Sequence, residues 1–437
     1  MQAFWFAFYL YRLYFLEGKS DMVEISDKVY YESIVSDDIA LTEDILDFAN
    51  MVFSISYKSV NFSRLMPKAY VPKRYSKVLH HMIREHDKLR ALVDVYPLKL
   101  KQVEIDGEST CELTAGYIGT VCVHPNSRGK NYMIELMERA EANARKENLD
   151  MLILDGNRHR YQHYGFEKAG MKYDFNIRLK NMKHSYQRIY GDDAGAKYTF
   201  EMIDTKCDYL DELYALYNKR NVVARECEDF LLCLKSGLSD TYAILEDDKC
   251  VGYINISEDE SYINEIELKD ESEVIKVLYD FMDEMVLSSI NILTGADEIS
   301  KISYFEKMCD GYNITQSHQI KILNYESVLE FLFKWKQKYS KLTDGEFTIR
   351  IVKSAYEENA SENISEIGIY TITVSNGKIS VVQSEKEEDV VLDENELVKM
   401  LTTIYSYQES GKPESKLEKA PMGWFPLPFY LPDGDAF

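Results

Sequence analysis

The sequence predicts an α+β protein in which three consecutive regions combine mixed sheets with flanking helices. A strand, a polar turn and an amphipathic helix follow one another over residues 119–144. Four apolar residues at 151–154 have the length and composition of a strand that is buried in a sheet. Residues 242–254 and 347–383 show strand patterns around turn sequences, which is typical of antiparallel hairpins.

Composition favours a globular protein of two to four domains. The chain has 437 residues, of which 45% are hydrophobic and 29% charged, so it resembles ordinary folded proteins rather than disordered ones. The net charge of −23 argues against a nucleic-acid partner, which requires a basic face. The same charge is consistent with cationic ligands and with a generally acidic cytoplasmic protein, and the sequence leaves both open.

The first sixteen residues are apolar and aromatic, but they are short for a transmembrane helix, which needs about 20 apolar residues, and Arg12 interrupts them. They also lack the features of a signal peptide. We therefore predict a dispensable extension over residues 1–21, no integral membrane span and a cytoplasmic protein whose domains begin at Met22. A weak membrane-surface anchor is the alternative for this segment.

Cysteine and histidine spacing indicates neither a disulfide framework nor a metal site. The seven cysteines are scattered and include no CxxC pair, so we expect free thiols in a reducing compartment. His80, His81 and His86 lack a matching pattern of further ligands. We interpret these histidines as surface or helix-face residues.

The first region begins with an amphipathic helix at 39–56 and an apolar loop at 62–70. Residues 89–97 and 98–105 are predicted to form successive strands, and Asp106-Gly107 is a hairpin turn signal. The next strand, 112–123, leads into the polar turn. A short helix is expected from Arg158 to His163, after the apolar strand at 151–154.

The junction between the strand and the helix after residue 123 predicts an anion site. The helix carries Met133, Met137, Ala140 and Ala144 on one face. Its N-terminus presents free backbone N–H groups and the positive end of the helix dipole to one spot, where a phosphate or pyrophosphate can bind. Arg128 and Lys130 add positive charge to the same turn.

The second region, about 197–325, shows a strand, two helices, a hairpin with its turn at Asp247-Asp248, and a helix from Glu273 to Met285. Residues 304–312 weakly echo residues 161–167, which suggests a diverged copy of the first region. This copy has no glycine–arginine loop, so we expect it to bind no cofactor. The third region opens with an amphipathic helix, continues with strands around Asn376-Gly377 and a helix at 393–406, and ends in an apolar, proline-rich tail.

These motifs resemble a known family. Residues 128–133 resemble the acyl-CoA loop of GCN5-related N-acetyltransferases (GNAT), and the chain after Met22 resembles the Eis (enhanced intracellular survival) acetyltransferases. The resemblance is carried by a set of short motifs: Val52-Phe53 with 62–70, 121–125 with 128–133, 161–166, and the tail that ends in Phe437. It departs from the family at Asn131, where glycine is usual, and at Met133, where glycine or alanine is usual. Asn adopts the left-handed conformation more easily than most residues, so the loop can survive.

The resemblance implies a fold of three domains: a catalytic GNAT domain at 22–190, a degenerate GNAT domain at 191–325 and a sterol-carrier-protein-like domain at 326–437 whose tail reaches the active site. It implies acetyl-CoA as co-substrate and a homo-oligomer, which is a hexamer in the family, while the spacing of the cysteines and histidines predicts no metal. The implied acetyl-CoA residues are Val121, Cys122 and Val123 along the pantetheine arm, Arg128, Gly129, Lys130, Asn131, Tyr132, Met133 and Ile134 around the pyrophosphate, and Gly156 and Asn157 near the thioester.

Two catalytic roles follow from the resemblance. Tyr161 matches the tyrosine that protonates the departing CoA thiolate, and a phenol with a pKa of about 10 carries its proton at neutral pH. The Phe437 carboxylate matches the proton acceptor for the attacking amine. The alternatives are a packing tyrosine and a frayed terminus. Cys122 lies in mid-strand with no obvious base, so it does not resemble a nucleophile.

The resulting functional hypothesis is direct acetyl transfer in a ternary complex to a primary amine of a cationic acceptor, such as an aminoglycoside, a polyamine or a lysine. Acidic runs at 258–260, 385–389 and 393–396 could favour such acceptors, although solvated surface is the simpler interpretation. A non-catalytic acyl-CoA- or ligand-binding protein and a regulator that acetylates protein lysines remain alternatives.

Overall fold

The structure, a computed structural model, describes residues 21–26, 28–57, 59–103, 110–191, 197–204, 207–220, 222–354, 365–410, 412 and 414–437. The first twenty residues of the predicted extension and the predicted Asp106-Gly107 turn lie outside this part of the chain. Two compact units are present. Of the described residues, unit 1 contains those up to Leu98, those of Thr114–Asp155 and the terminal Phe437, and unit 2 contains those of Lys99–Leu113 and Gly156–Ala436.

Unit 1 is built on six strands that are hydrogen-bonded in chain order. They are β1 Asp21–Ser26, β2 Val29–Ile34, β3 Leu79–Glu85, β4 Lys88–Val103, β5 Thr110–Val123 and β6 Met151–Leu154. The pairs β1/β2, β2/β3 and β3/β4 are antiparallel, whereas β5 and β6 are parallel. A parallel pair requires a crossover, and the helix after β5 supplies it. The predicted strand–helix–strand unit is therefore confirmed.

The α-helices of unit 1 are α1 Ile39–Ser54, α2 Phe62–Leu65, α3 Pro67–Tyr70 and α4 Tyr132–Lys146. α1 and α4 follow apolar stripes of the sequence, whereas the predicted loop at 62–70 forms the short helices α2 and α3. Asp38 caps α1 by accepting a hydrogen bond from the Leu41 N–H, which satisfies one of the free donors at this end. The prediction of two strands at 89–97 and 98–105 was wrong, because the structure has the single strand β4. Pro97 lacks an N–H, but its fixed φ is compatible with extended backbone.

Unit 2 contains a seven-stranded sheet in the order β14-β8-β13-β12-β11-β10-β9, a four-stranded sheet in the order β18-β17-β16-β19, and an antiparallel pair of β7 with β15. Its strands are β7 Glu167–Lys168, β8 Lys172–Arg178, β9 Thr199–Met202, β10 Ser239–Glu246, β11 Lys249–Ser257, β12 Tyr262–Leu268, β13 Ser289–Gly295, β14 Gly311–Thr315, β15 Gln319–Ile322, β16 Gly345–Val352, β17 Glu366–Ser375, β18 Lys378–Gln383 and β19 Val390–Asp393.

The α-helices of unit 2 are α5 Arg158–Tyr161, α6 Leu179–Tyr190, α7 Leu210–Arg220, α8 Phe230–Leu234, α9 Val274–Glu284, α10 Ile299–Phe305, α11 Tyr325–Gln337, α12 Glu394–Thr402 and α13 Tyr405–Ser410. The predicted hairpin turn at Asn376-Gly377 is confirmed, with both residues at positive φ. The predicted helix at 393–406 is two helices, because Thr403 is extended between them. Within the described chain, we find no helix with the length and apolar character needed to cross a membrane.

The proline-rich tail is buried in unit 2, as its composition predicted. Trp424, Leu427 and Leu431 are almost completely buried, and the Leu427 N–H donates to the Leu401 carbonyl over 2.6 Å. Near its end, Asp435 accepts hydrogen bonds from Arg225 Nε over 2.8 Å and Nη2 over 3.0 Å. Both side chains are buried, so this ion pair is a fixed attachment of the tail to unit 2.

Candidate active site

The end of β5 extends past its neighbour in unit 1. The pairing of β5 with β6 runs from Ala115 to Ile118, so the five residues 119–123 continue beyond the paired part of β6. Within this stretch Thr120 has a φ of 52°, an uncommon backbone conformation for a β-branched residue. A strand that runs past its neighbour offers backbone groups to an extended ligand arm, in the manner of an added strand.

The polar turn after β5 has the conformation that the sequence predicted. Gly129 and Asn131 have positive φ values of 79° and 61°. Asn131 is the N-cap residue of α4 in the left-handed conformation, and its side chain makes no capping hydrogen bond. The departure from glycine at this position is therefore compatible with the loop. The first N–H groups of α4 receive no such cap from this side chain and are suited to an anion.

The turn carries less net positive charge than Arg128 and Lys130 alone would give it. Arg128, Gly129, Lys130 and Asn131 are all exposed. The Lys130 ammonium, however, donates to both carboxylate oxygens of Glu85, over 2.8 and 2.9 Å. The hydrogen bond to Lys130 lowers the pKa of Glu85. The positive charge of Lys130 is thus partly neutralised by a residue that sequence reasoning missed.

The other predicted cofactor residues of unit 1 line the same junction. Val121 and Val123 of β5 are half-buried. In the first turn of α4, Tyr132 and Met133 are half-buried and Ile134 is exposed. Cys122 is buried, and burial raises the pKa of its thiol well above the ordinary value. A thiol held in the protonated form is a poor nucleophile, which agrees with the structural interpretation of Cys122.

The terminal residue Phe437 is half-buried in unit 1 among three aromatic rings. Its ring centroid lies 5.3 Å from that of Tyr96 in a stacked arrangement, 5.4 Å from Tyr70 and 6.4 Å from Tyr117. One of its carboxylate oxygens lies so close to Gly119 that an added Cβ there would be 2.8 Å away. The C-terminus of the chain is thus seated at the point where β5 leaves β6.

Tyr161 belongs to unit 2, at the end of α5. It is 6% exposed and makes an edge contact with Phe166 at 6.5 Å between centroids. A Cβ added to Gly156, which has a φ of 140°, would lie 2.9 Å from the Tyr161 ring, so only glycine allows this approach. Asn157 caps α5 through its carbonyl, which accepts from the N–H groups of Arg160 and Tyr161. The predicted site residues of unit 2 therefore lie together on one turn.

The interpretation of His80 and His81 as surface or helix-face residues was wrong. Both lie on β3 and are completely buried. His80 Nδ1 lies 2.7 Å from Asp94 Oδ1, and His81 Nδ1 lies 2.8 Å from the Tyr31 hydroxyl. Burial lowers the pKa of His81 to about 3, so this imidazole is neutral. The two residues pair with partners that are distant in sequence, which no local pattern could show.

The acidic runs have structural roles in part. Asp393 and Glu396 form the capping box of α12, and buried Glu394 accepts a hydrogen bond from Tyr325. Asp259 accepts from Ser261 in an exposed turn. The expectation that these runs are only solvated surface was therefore wrong for 393–396, since this run holds a helix end.

Sequence reasoning missed several residues that surround the terminus. Asp94, Tyr96, Tyr117 and Thr120 lie within strands whose alternation gave no functional signal. Tyr70 was part of the predicted apolar loop but had no role assigned. Only the three-dimensional arrangement of β4, β5 and the end of α3 brings these residues to one place.

Comparisons with known proteins concern the domain type and the fold. The family model for the acetyltransferase (GNAT) domain matches residues 40–169. No curated protein matches the sequence. The chain is similar to the crystal structure of a probable N-acyltransferase from Enterococcus faecalis, with 14% identity, a TM-score of 0.64, and coverage of 94% of this chain and 100% of that one.

Two further solved structures share the fold. A GCN5-related N-acetyltransferase from Anabaena variabilis is 14% identical, with a TM-score of 0.61 and coverage of 90% of this chain and 97% of that one. Eis1 from Mycobacterium abscessus is 14% identical, with a TM-score of 0.58 and coverage of 93% and 100%. At these identities the likeness concerns the fold. The family match shows that the chain contains an acetyltransferase (GNAT) domain over residues 40–169, a type of domain that uses acetyl-CoA.

Proposed function

We propose that the protein transfers the acetyl group of acetyl-CoA to a primary amine of a cationic acceptor, by direct attack in a ternary complex. The observation that carries the proposal is the position of the Phe437 carboxylate beside Gly119. Gly119 precedes Val121, the first residue of the proposed pantetheine site in β5, by two residues. The net charge of −23 supports a cationic acceptor. Aminoglycosides, polyamines and lysine side chains are the classes to test.

The proposed binding site for acetyl-CoA consists of backbone groups at the end of β5 and at the start of α4, together with residues of the turn between them. The backbone of Val121, Cys122 and Val123 pairs with the pantetheine arm, because these residues run past β6. The N–H groups at the start of α4, with Arg128 and Gly129, hold the pyrophosphate. Gly156 and Asn157 are proposed to lie near the thioester.

The proposed chemistry needs two proton transfers. An alkylamine with a pKa of about 10.4 is mostly protonated at neutral pH, so it must lose a proton before it attacks. Phe437 accepts this proton, directly or through water. An α-carboxyl has a pKa of about 3.5 and is a weak base, and removal from water strengthens it. The contacts of the Phe437 ring with Tyr70 and Tyr96 support this role, because a general base must be held in position.

The second transfer is assigned to Tyr161. Its phenol donates a proton to the departing thiolate, which a group with a pKa of about 10 can do at neutral pH. The fixed position of its ring between Gly156 and Phe166 supports the assignment, because a general acid must be held in place.

We retain the division into domains at 22–190, 191–325 and 326–437 as a proposal, with a sterol-carrier-protein-like third domain. In this division β8 is a strand of the first domain that pairs with β13 and β14 of the second. A homo-oligomer is proposed on the family resemblance alone.

The test is the release of CoA thiol from acetyl-CoA in the presence of aminoglycosides, polyamines or lysine peptides, with the Tyr161→Phe variant as the control. Acceptor-dependent release by the wild type supports the proposal, and the acceptor class that reacts separates small amines from protein lysines. Titration calorimetry with acetyl-CoA is the companion measurement. Tight binding without release for any amine would favour the alternative, a non-catalytic acyl-CoA-binding protein.

A further inference from the structure

A buried polar network connects β3, β4 and β5 with the end of α3. His80 Nδ1 lies 2.7 Å from Asp94 Oδ1, the Tyr70 hydroxyl donates to Asp94 Oδ2 over 2.5 Å, and the same hydroxyl lies 2.7 Å from Thr120 Oγ1. We call these four residues the Asp94 network. All are buried, with exposed fractions between 0% and 7%.

Such a network is costly, because a carboxylate loses its hydration when it is buried and needs hydrogen bonds in return. Asp94 receives them from Tyr70 and from His80. Burial, and next the charge of Asp94, raises the pKa of the Tyr70 phenol well above its ordinary value. Tyr70 therefore remains protonated and continues to donate to Asp94.

The other end of Tyr70 contacts the chain terminus. Its ring lies 5.4 Å from the Phe437 ring, between centroids. Thr120, which shares the Tyr70 hydroxyl, follows Gly119, and an added Cβ at Gly119 would be 2.9 Å from the Phe437 carboxyl carbon. The network thus fixes one aromatic wall of the Phe437 seat and the strand segment against which the carboxyl group lies.

We propose that Asp94 is a positioning residue for the C-terminal carboxylate, and that it acts through Tyr70. The inference rests on the proposed role of Phe437 as proton acceptor. The buried Asp94 carboxylate holds Tyr70 in place. If Tyr70 rotated or moved, the Phe437 ring could move with it and carry the Phe437 carboxylate away from the amine. A shift of about 1 Å at a reacting group can lower a rate by about 100-fold.

The chain offers a matched control on the same strand. His81 follows His80, is equally buried, and pairs with the Tyr31 hydroxyl over 2.8 Å. Tyr31→Phe removes the buried hydrogen bond between Tyr31 and His81, which is similar in length to the one between His80 and Asp94. The Tyr31–His81 pair includes neither Tyr70 nor Phe437. Asp94→Asn and Tyr70→Phe disturb the network itself, and Tyr70→Phe does so while it keeps the ring that contacts Phe437.

The first measurement is independent of catalysis. Carboxypeptidase A removes aromatic C-terminal residues, so the rate of phenylalanine release from the full-length folded protein reports how firmly Phe437 is held. We expect release at least fivefold faster than wild type in Asp94→Asn and in Tyr70→Phe, and wild-type release in Tyr31→Phe. Equal rates in all four proteins would overturn the inference. Thermal melts establish that each variant is folded, and Tyr70→Phe decides the question where Asp94→Asn does not fold.

The second measurement is a double-mutant cycle with deletion of Phe437. In the full-length chain, Asp94→Asn should lower kcat at least tenfold and leave the KM for acetyl-CoA within twofold. In the chain that lacks Phe437, the same substitution should change kcat by less than twofold, because nothing remains to be positioned. Equal falls in both chains would mean that Asp94 acts without Phe437, and would overturn the inference. Wild-type rates after deletion of Phe437 would instead refute the proposed proton acceptor, and the carboxypeptidase result alone would then decide whether the network holds the terminus.

Discussion

Gly119 leaves the space in which Phe437 sits, so Gly119→Ala tests the importance of that seat. The added Cβ would lie 2.6 Å from Phe437 Cδ1 and 2.8 Å from one of its carboxylate oxygens. Ordinary carbon contacts are about 3.5–4.0 Å, so the terminal residue must move by about 1 Å. Overpacking of this kind costs about 1–3 kcal/mol in folding free energy. A misplacement of about 1 Å at a reacting group can lower the rate about 100-fold.

We therefore expect Gly119→Ala to lower kcat by about 100-fold while the KM for acetyl-CoA changes by less than about twofold. Gly116→Ala, on the same strand, is the control. Its Cβ would lie 2.9 Å from Val95 Cγ1 and 3.0 Å from Leu152 Cδ2, so it overpacks the core but not the terminus. Steady-state CoA release and thermal melts of both variants decide the matter. A wild-type kcat in Gly119→Ala, or an equal fall in Gly116→Ala, would refute the reasoning.

Four further predictions follow from the described contacts. Tyr161→Phe should lower kcat by about 100-fold or more through loss of the general acid, with acetyl-CoA affinity unchanged in calorimetry. Asn131→Gly should tighten acetyl-CoA binding by about twofold to fivefold, because glycine adopts the left-handed conformation at this N-cap without strain; a fall in affinity would contradict this. The pKa of His81 is lowered to about 3 in the folded protein, below its unfolded value of about 6.5. Its contribution to stability is therefore full above pH 6.5 and is lost as the pH falls toward 3, by about 1.4 kcal/mol per pH unit, and urea titrations of His81→Gln should show a flatter dependence. Asp435→Asn should destabilise unit 2 by about 3 kcal/mol, since it weakens the buried pair with Arg225, and an unchanged urea midpoint would exclude this role.

Elements with strong local patterns were predictable from the sequence. The strand–turn–helix unit around residues 119–144 was predicted correctly, because its strand contains β-branched residues and its helix has one apolar face. The left-handed Asn131 was anticipated from the backbone preference of asparagine. The burial of the tail was anticipated from Trp424 and its neighbours, whose composition is unusual for a terminus.

Features that depend on distant pairing were not predictable. His80 and His81 have no local signal for burial, because their partners Asp94 and Tyr31 are 14 and 50 residues away. The neutralisation of Lys130 by Glu85 has the same origin, since the two residues are 45 positions apart. Sequence patterns report periodicity within one element, whereas these contacts arise only when β2, β3, β4 and the turn are brought together.

Steady-state kinetics of CoA release with and without Phe437 test the central claim most directly, with a C-terminally extended chain as a second variant. The proposed mechanism predicts that both variants lose most of kcat, about 100-fold or more, because a general base contributes about 10²–10⁴-fold. It predicts that both variants bind acetyl-CoA with nearly wild-type affinity, since the terminus is assigned no part in binding the nucleotide. Wild-type turnover in either variant would contradict the assignment of the terminal carboxylate to the chemistry.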